Sequence, residues 1–303
     1  MPARPNFFIV GAPKCGTTAL YEYLRGHPSI FMPKYKEPHF FAKDLGAYPL
    51  IKSADAYAAL FAEAQPRHTA VGEASVYYLR STTALAGIKA YDPSARIIAM
   101  YRNPVEMVHS FHSQLLYVGE ETVADFEESW RLQERRRQGL DLPPRSRGAF
   151  LYQYAELGRF GTQTQRVLAN FAAPQVKLIL FEDFAADARK VYDEVIAFLG
   201  VPHDGRTEFA RVNENKRARV DWLKHFLRKP PPALRRGVRG LKRLLGSERL
   251  GGVKSELVRL NTVRERRPAL SPALRAEMVD TFRDEVRLLG ELLGRDLSHW
   301  ERT

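Results

Sequence analysis

The chain has 303 residues, 45% hydrophobic and 27% charged, with 47 Lys and Arg against 35 Asp and Glu for a net charge of +12. That length and composition suit a soluble globular protein with a full core, and no apolar run reaches the roughly 20 residues a membrane helix needs. One cysteine excludes an intrachain disulfide framework. Met1-Pro2-Ala3-Arg4-Pro5 leads directly into the first strand and leaves no room for a signal peptide, so the expected location is cytoplasmic. The charge is concentrated in one place. Residues 211–267 hold 18 Lys and Arg against five Asp and Glu, leaving the rest of the chain near neutrality.

The first predicted element is the apolar run Phe7-Phe8-Ile9-Val10, a buried strand that bends through Gly11 and Pro13 into a helix from Thr17 to Arg25. A strand, a tight turn and a helix start make a loop whose N–H groups converge on an anion. The spacing Gly11, four residues, Gly16 is nearly that of the phosphate loop Gly-x4-Gly-Lys-[Ser/Thr]. Here Thr17 takes the lysine's place and the lysine sits inside the loop as Lys14, an arrangement not built for a magnesium-bound nucleoside triphosphate.

Ile30-Phe31-Met32 reads as a short strand, followed by the proline-bounded loop Pro33 to Phe41. Helices are expected over 53–64 and 82–91, with a strand over 69–75 between them and Tyr77-Tyr78-Leu79 beyond it. The strand 96–101 turns through Arg102-Asn103-Pro104 into a helix ending near Tyr117, proline being favourable in a first turn. Residues 119–148 are polar, carry Arg135-Arg136-Arg137, and read as a mobile excursion. A helix over 152–171 interrupted near Gly158 and Gly161, a strand over 176–181, a helix over 187–199 and a long amphipathic helix over 272–293 complete the pattern. Alternating strands and helices imply a P-loop NTPase-like α/β fold, a parallel sheet flanked by helices with ligands at the carboxyl ends of the strands. The expected organisation is a single domain over 1–303. It comprises an α/β core at 6–200, a basic helical cap at 211–270 and a C-terminal helix at 271–303 packing on the core.

A magnesium nucleotidase wants an Asp at a strand end, but the strand at 96–101 ends in Arg102, which suits a phosphate. Ser110 lies two turns up the same helical face. Arg102 and Ser110 either share one phosphate or the arginine caps local carbonyls. With Lys14 and the loop amides serving a second anion, the ligand reads as a nucleotide phosphorylated at two places.

Pro13-Lys14-Cys15-Gly16-Thr17-Thr18 resembles the 5′-phosphosulfate loop of sulfotransferases that use 3′-phosphoadenosine 5′-phosphosulfate (PAPS), and Tyr101-Arg102-Asn103-Pro104 with Ser110 resembles their 3′-phosphate motif. Glu37-Pro38-His39-Phe40-Phe41 and the ending Leu293 to Trp300 are similar to the heparan-sulfate-type branch (N-deacetylase/sulfotransferase and 3-O-sulfotransferase-like) and its bacterial relatives. The resemblance covers about residues 6–200 well and 270–300 in part.

It implies transfer of a sulfuryl group from PAPS, with PAP as product and no metal required, to a hydroxyl or secondarily an amine. The acceptor would be a glycan, glycolipid or small metabolite. Lys14 would stabilise the leaving phosphate, and Cys15, Gly16, Thr17, Thr18, Arg102, Ser110, Lys216 and Arg217 would bind the donor. Glu37 matches the family's general base; the competing reading is a surface carboxylate paired with Lys34 or Lys36. His39 is the alternative base or a packed ring. Glu73, His39 and Tyr78 are candidate acceptor contacts, although Glu73 could equally orient Lys14 or cap a strand end.

Relatives often have Glu-Lys-Ser/Thr-Pro where this chain has Glu73-Ala74-Ser75-Val76. Phe181-Glu182-Asp183 superficially resembles a metal-binding strand end and motivates a kinase using ATP and magnesium as an alternative. The basic segment motivates two others, contact with an anionic membrane surface and a nucleic-acid-binding module. No recognised nucleic-acid motif is present, so no nucleic acid is expected. The sequence leaves the oligomeric state open.

Overall fold

The computed structural model describes residues 3–46, 51–210 and 267–302, together with the backbone of 217–218 and 262–263. Five strands, β1 (Phe7–Gly11), β2 (Ile30–Phe31), β3 (Ala70–Ala74), β4 (Arg96–Tyr101) and β5 (Val176–Leu180), form one parallel sheet in the order β2-β3-β1-β4-β5. β1 is buried at every position and β4 at every position after its first, the continuous apolar character of strands covered on both faces. The chain leaves β1 to build β2 and β3 on one side and returns to build β4 on the other. That switch opens a crevice over the carboxyl end of β1, where the glycine loop lies. The parallel α/β architecture expected from the alternation is therefore the one observed.

The helices are α1 (Thr17–Arg25), α2 (Ala54–Ala59), α3 (Ala84–Tyr91), α4 (Pro104–Val118), α5 (Phe126–Arg131), α6 (Gln133–Arg137), α7 (Tyr154–Leu157), α8 (Phe160–Asn170), α9 (Phe181–Ala186), α10 (Ala188–Leu199) and α11 (Pro272–Leu293). α2 is half its expected length, because after Ala59 the chain tightens into i→i+3 bonds, Leu60 N–H to the Tyr57 carbonyl and Phe61 N–H to that of Ala58. A two-residue antiparallel ladder pairs β6 (Arg217–Ala218) with β7 (Thr262–Val263).

Residues 119–148 differ from the expected mobile excursion. Arg136, the middle of the charge run Arg135-Arg136-Arg137, is fully buried and donates to both oxygens of buried Glu121, at 2.7 and 3.0 Å. The same carboxylate accepts from the Ser129 hydroxyl and from the backbone N–H groups of Thr122 and Val123. An ion pair satisfied on every side fixes the turn that starts the excursion against the helices that end it.

Phe181 to Ala186 is also a helix, although the strand was expected to reach Phe181 and the next helix to start at Asp187. Its first-turn acids, Glu182 and Asp183, suit a helix N-terminus and are engaged by the C-terminal segment. Arg295 pairs with Asp183 at 3.0 Å, while His299 and the Trp300 indole reach Glu182, both at 3.0 Å. The Trp300 carbonyl in turn accepts from Asn103, the cap of α4, at 3.2 Å. α11 lies across α8, where Glu285 caps the first turn by accepting from the Thr162 N–H and hydroxyl at 2.8 and 2.7 Å. A Cβ on Gly161 would lie 2.7 Å from the Glu285 carbonyl, so this close crossing requires glycine.

Candidate functional site

The glycine loop ends at Gly16, which caps α1 in the left-handed region at φ 91. No side chain caps α1 and no acidic residue lies in its first turn, so its leading N–H groups and positive dipole end are available to an anion. A Cβ on Gly16 would press on Phe181 and Phe184 at 3.1 Å, a second reason for glycine there. Thr17 is buried and Thr18 half-buried in that first turn. Cys15 turns its thiol into the core, donating to the Pro13 carbonyl, and burial pushes it up to about 12. Only the backbone of Cys15 therefore faces the loop's interior.

Lys14 is half-buried with φ 62, and its ammonium donates to Gln114 Oε1 at 2.8 Å. Burial, then the charges of Arg267 and Arg102, lower its pKa to about 8. Gln114 lies one turn beyond Ser110 on the same face of α4, so one helix face carries both the Lys14 contact and the serine. Arg102, just before Asn103 caps that helix, lays its guanidinium over the Phe181 ring at 5.0 Å. It hydrogen-bonds no backbone carbonyl among the described residues.

The sequence reading missed Arg267. Its pKa is depressed by burial and by Arg102, and its buried Nη1 has no hydrogen-bond partner among the described residues. None of Lys14, Arg102 and Arg267 forms an ion pair among the described residues. The carboxylates that act on them are engaged elsewhere, Glu37 with Lys36 and Glu106 with Arg275. Three cations crowded at a helix start, one with a buried orphan N–H, fit a ligand with more than one phosphate. The signal for Arg267 was its place at the end of the basic segment, beside Pro268.

The loop 37–41 is stitched to the carboxyl end of β3. Glu37 N–H donates to the Ala74 carbonyl at 3.0 Å, His39 N–H to Ser75 Oγ at 2.9 Å, and Phe41 N–H to the Tyr78 hydroxyl at 3.3 Å. Ser75 and Leu79 bond in turn to the Ile9 and Val10 carbonyls, bringing this loop beside the glycine loop. Glu37 and His39 both hold positive φ, 66 and 51, a strain in residues other than glycine that concentrates at functional sites. Glu37 Oε1 pairs with the Lys36 ammonium, and Oε2 lies 3.7 Å from His39 Nε2. Burial pushes the Glu37 carboxyl up, but Lys36 and then His39 outweigh it and hold it at about 2.

The candidate acceptor contacts Glu73, His39 and Tyr78 are all enclosed. Glu73 and Tyr78 are fully buried, so neither lines an accessible acceptor surface: Glu73 Oε2 accepts from the Tyr78 and Tyr57 hydroxyls at 2.8 and 3.0 Å. Burial raises the Glu73 carboxyl to about 7 against the tyrosine hydrogen bonds that lower it, and its buried Oε1 has no hydrogen-bond partner among the described residues. His39 is likewise enclosed, stacked on Tyr77 at 4.8 Å, and burial lowers its pKa. Lys216 and the Arg217 side chain lie outside the described residues.

Residues 4–229 match the sulfotransferase domain. The chain belongs to this family. The chain is similar to a crystal structure of a sulfotransferase from Alicyclobacillus acidocaldarius, 31% identical, with a TM-score of 0.72 over 99% of this chain and 100% of that one. It also resembles human carbohydrate sulfotransferase 15, 30% identical over 35% of this chain and 26% of that protein. A third relative is the mouse bifunctional heparan sulfate N-deacetylase/N-sulfotransferase 4, 27% identical over 70% of this chain and 24% of that protein. The chain thus spans about a quarter of the length of the curated relatives it matches. Among the described residues, no helix of the sulfotransferase is long and apolar enough to cross a membrane.

Proposed function

We propose that this sulfotransferase transfers the sulfuryl group of PAPS to a hydroxyl of a carbohydrate-bearing acceptor, a glycan or glycolipid. A small metabolite hydroxyl, or an amine, is the secondary acceptor class. The observation that carries the reading is the surplus of positive charge at Lys14, Arg102 and Arg267 beside the uncapped start of α1. A nucleotide phosphorylated at both the 3′ and 5′ positions neutralises such a surplus. The donor supplies the sulfuryl group and a phosphate as its leaving group.

The chain's contributions come from several segments. The α1 N–H groups, Thr17 and Thr18 hold the 5′ end, and Arg102, Ser110 and Arg267 hold the 3′ phosphate. Lys14 leaves Gln114 to neutralise the negative charge that builds on the leaving oxygen. Glu37, ionised at neutral pH, takes the acceptor's proton through Oε2, the oxygen not engaged by Lys36. Lys216 and Arg217, which lie outside the described residues apart from the Arg217 backbone, would bind the 3′ phosphate in this reading, and the basic segment would draw in anionic acceptors or touch an anionic membrane.

The kinase alternative loses its motivating residues, because Glu182 and Asp183 are committed to His299, Trp300 and Arg295. Thermal shift separates the two ligands. PAP should raise the melting temperature in the absence of magnesium and ATP with magnesium should not; the reverse pattern overturns the proposal.

A further inference from the structure

Lys36 takes no part in the donor site, yet it is the most closely engaged partner of the proposed base. Its side chain is only 17% exposed, with the ammonium 6.0 Å from the centre of the Tyr21 ring in α1 and ion-paired to Glu37 Oε1. The Tyr21 hydroxyl donates to the Pro33 carbonyl, and Glu37 N–H donates to Ala74, so both ends of the stretch 33–37 are fixed to the core. Ala74 brings no charge to the place where Glu37 is anchored. The cation beside that carboxylate therefore comes from the base's own loop.

We propose that Lys36 is a positioning residue for sulfuryl transfer: by holding Glu37 Oε1 it turns Oε2 toward the acceptor and keeps the carboxylate ready to accept a proton. The inference rests on Glu37 being the base. Among the described residues, the charged and titratable groups around the pair can be named. His39 shares its loop, Lys14 faces it from the glycine loop, and Glu73 lies beneath it on β3 with Tyr57 and Tyr78. Arg147, from the excursion after α6, acts on His39. Tyr21 is the contact from α1. Of these, Lys36 opposes the burial of Glu37 most strongly. Without it, burial would raise the Glu37 pKa, and the acid limb of kcat/KM would move upward in pH.

The test compares Lys36→Met, Lys36→Arg and Lys36→Cys treated with bromoethylamine, which rebuilds a lysine-length amine. Cys15, the other thiol, is buried and protected from alkylation. Lys36→Met should lower kcat roughly tenfold to a hundredfold, a fraction of what a general base supplies. It should leave PAP affinity within about twofold, since general-base positioning is separate from phosphate binding. Its acid limb should lie at higher pH than the wild-type limb.

Lys36→Arg and the aminoethylated protein should recover most of kcat and the wild-type profile, a rescue that a purely structural role does not predict. Where Lys36→Met does not fold, Lys36→Gln removes the charge while keeping a hydrogen-bond donor, with the same losses expected. Wild-type kcat and pH profile in the uncharged variant overturn the proposal. If Glu37→Gln is inactive in that case, the role of Glu37 stands and only that of Lys36 falls. An active Glu37→Gln overturns the base reading itself.

Discussion

At the scale of single residues, the site works by opposing burial with charge. Glu37 lies in the loop after β2 and Glu73 on β3, yet one is held at about 2 and the other raised to about 7. The difference is the partner, an ammonium for Glu37 and two tyrosine hydroxyls for Glu73. Glu37→Gln should therefore abolish turnover while PAP binding by calorimetry persists; near-normal activity would remove Glu37 from the mechanism.

Lys14 makes a second prediction. Its pKa of about 8 in the free protein should rise when a phosphate neutralises Arg102 and Arg267 around it. PAP binding above about pH 8 should then take up protons, seen as a calorimetric enthalpy that depends on buffer ionisation and loses that dependence in Lys14→Met. Glu73 predicts a stability effect of definite sign. Its folded pKa lies above the unfolded value of 4.5, so its contribution is full below that value and declines as pH rises toward 7. Relative to Glu73→Gln, the wild-type protein should lose up to about 3 kcal/mol across that window. The lowered pKa values of His39, His109 and His112 act in the opposite direction but cancel in the difference between the two proteins.

At the scale of elements, the strands and the glycine loop were legible because their signals are local. Four apolar residues, two glycines and a helix start sit within a dozen positions. Arg102 could be read because it breaks the expectation of a strand-end acid. Arg136 and Arg267 could not be read as they are, since a charge run in sequence carries no sign of which guanidinium is enclosed. That depends on Glu121 fifteen residues earlier for one, and for the other on Arg102 and Glu106 more than 150 residues away. Glu182 and Asp183 misled for the same reason: their partners Arg295, His299 and Trp300 are over 100 residues distant.

The excursion at 119–148 now makes an element-scale prediction. Arg136→Met leaves Glu121 buried without its counter-ion and should cost about 3–5 kcal/mol in chemical denaturation. A loss below 1 kcal/mol, the range of exposed pairs, would contradict the buried geometry.

At the scale of the whole molecule, one sheet edge-to-edge order explains why distant segments meet. β1 stands at the centre, and the loops after β1, β3 and β4 bring Lys14, the Glu37 anchor and Arg102 to one crevice. The C-terminal helix and the segment after it complete that arrangement from outside: Arg275 holds Glu106, and the Trp300 carbonyl meets the cap residue Asn103 beside Arg102. The central claim is that this crevice binds a doubly phosphorylated sulfuryl donor and passes its sulfuryl group to a hydroxyl. Its most direct test is incubation of the full chain with isotopically labelled PAPS and a panel of glycan, glycolipid and small hydroxylated acceptors, read by mass spectrometry. Labelled sulfuryl should appear on at least one acceptor and be lost in Glu37→Gln and in Lys14→Met. No labelled product from any acceptor, together with no calorimetric binding of PAP, would contradict it.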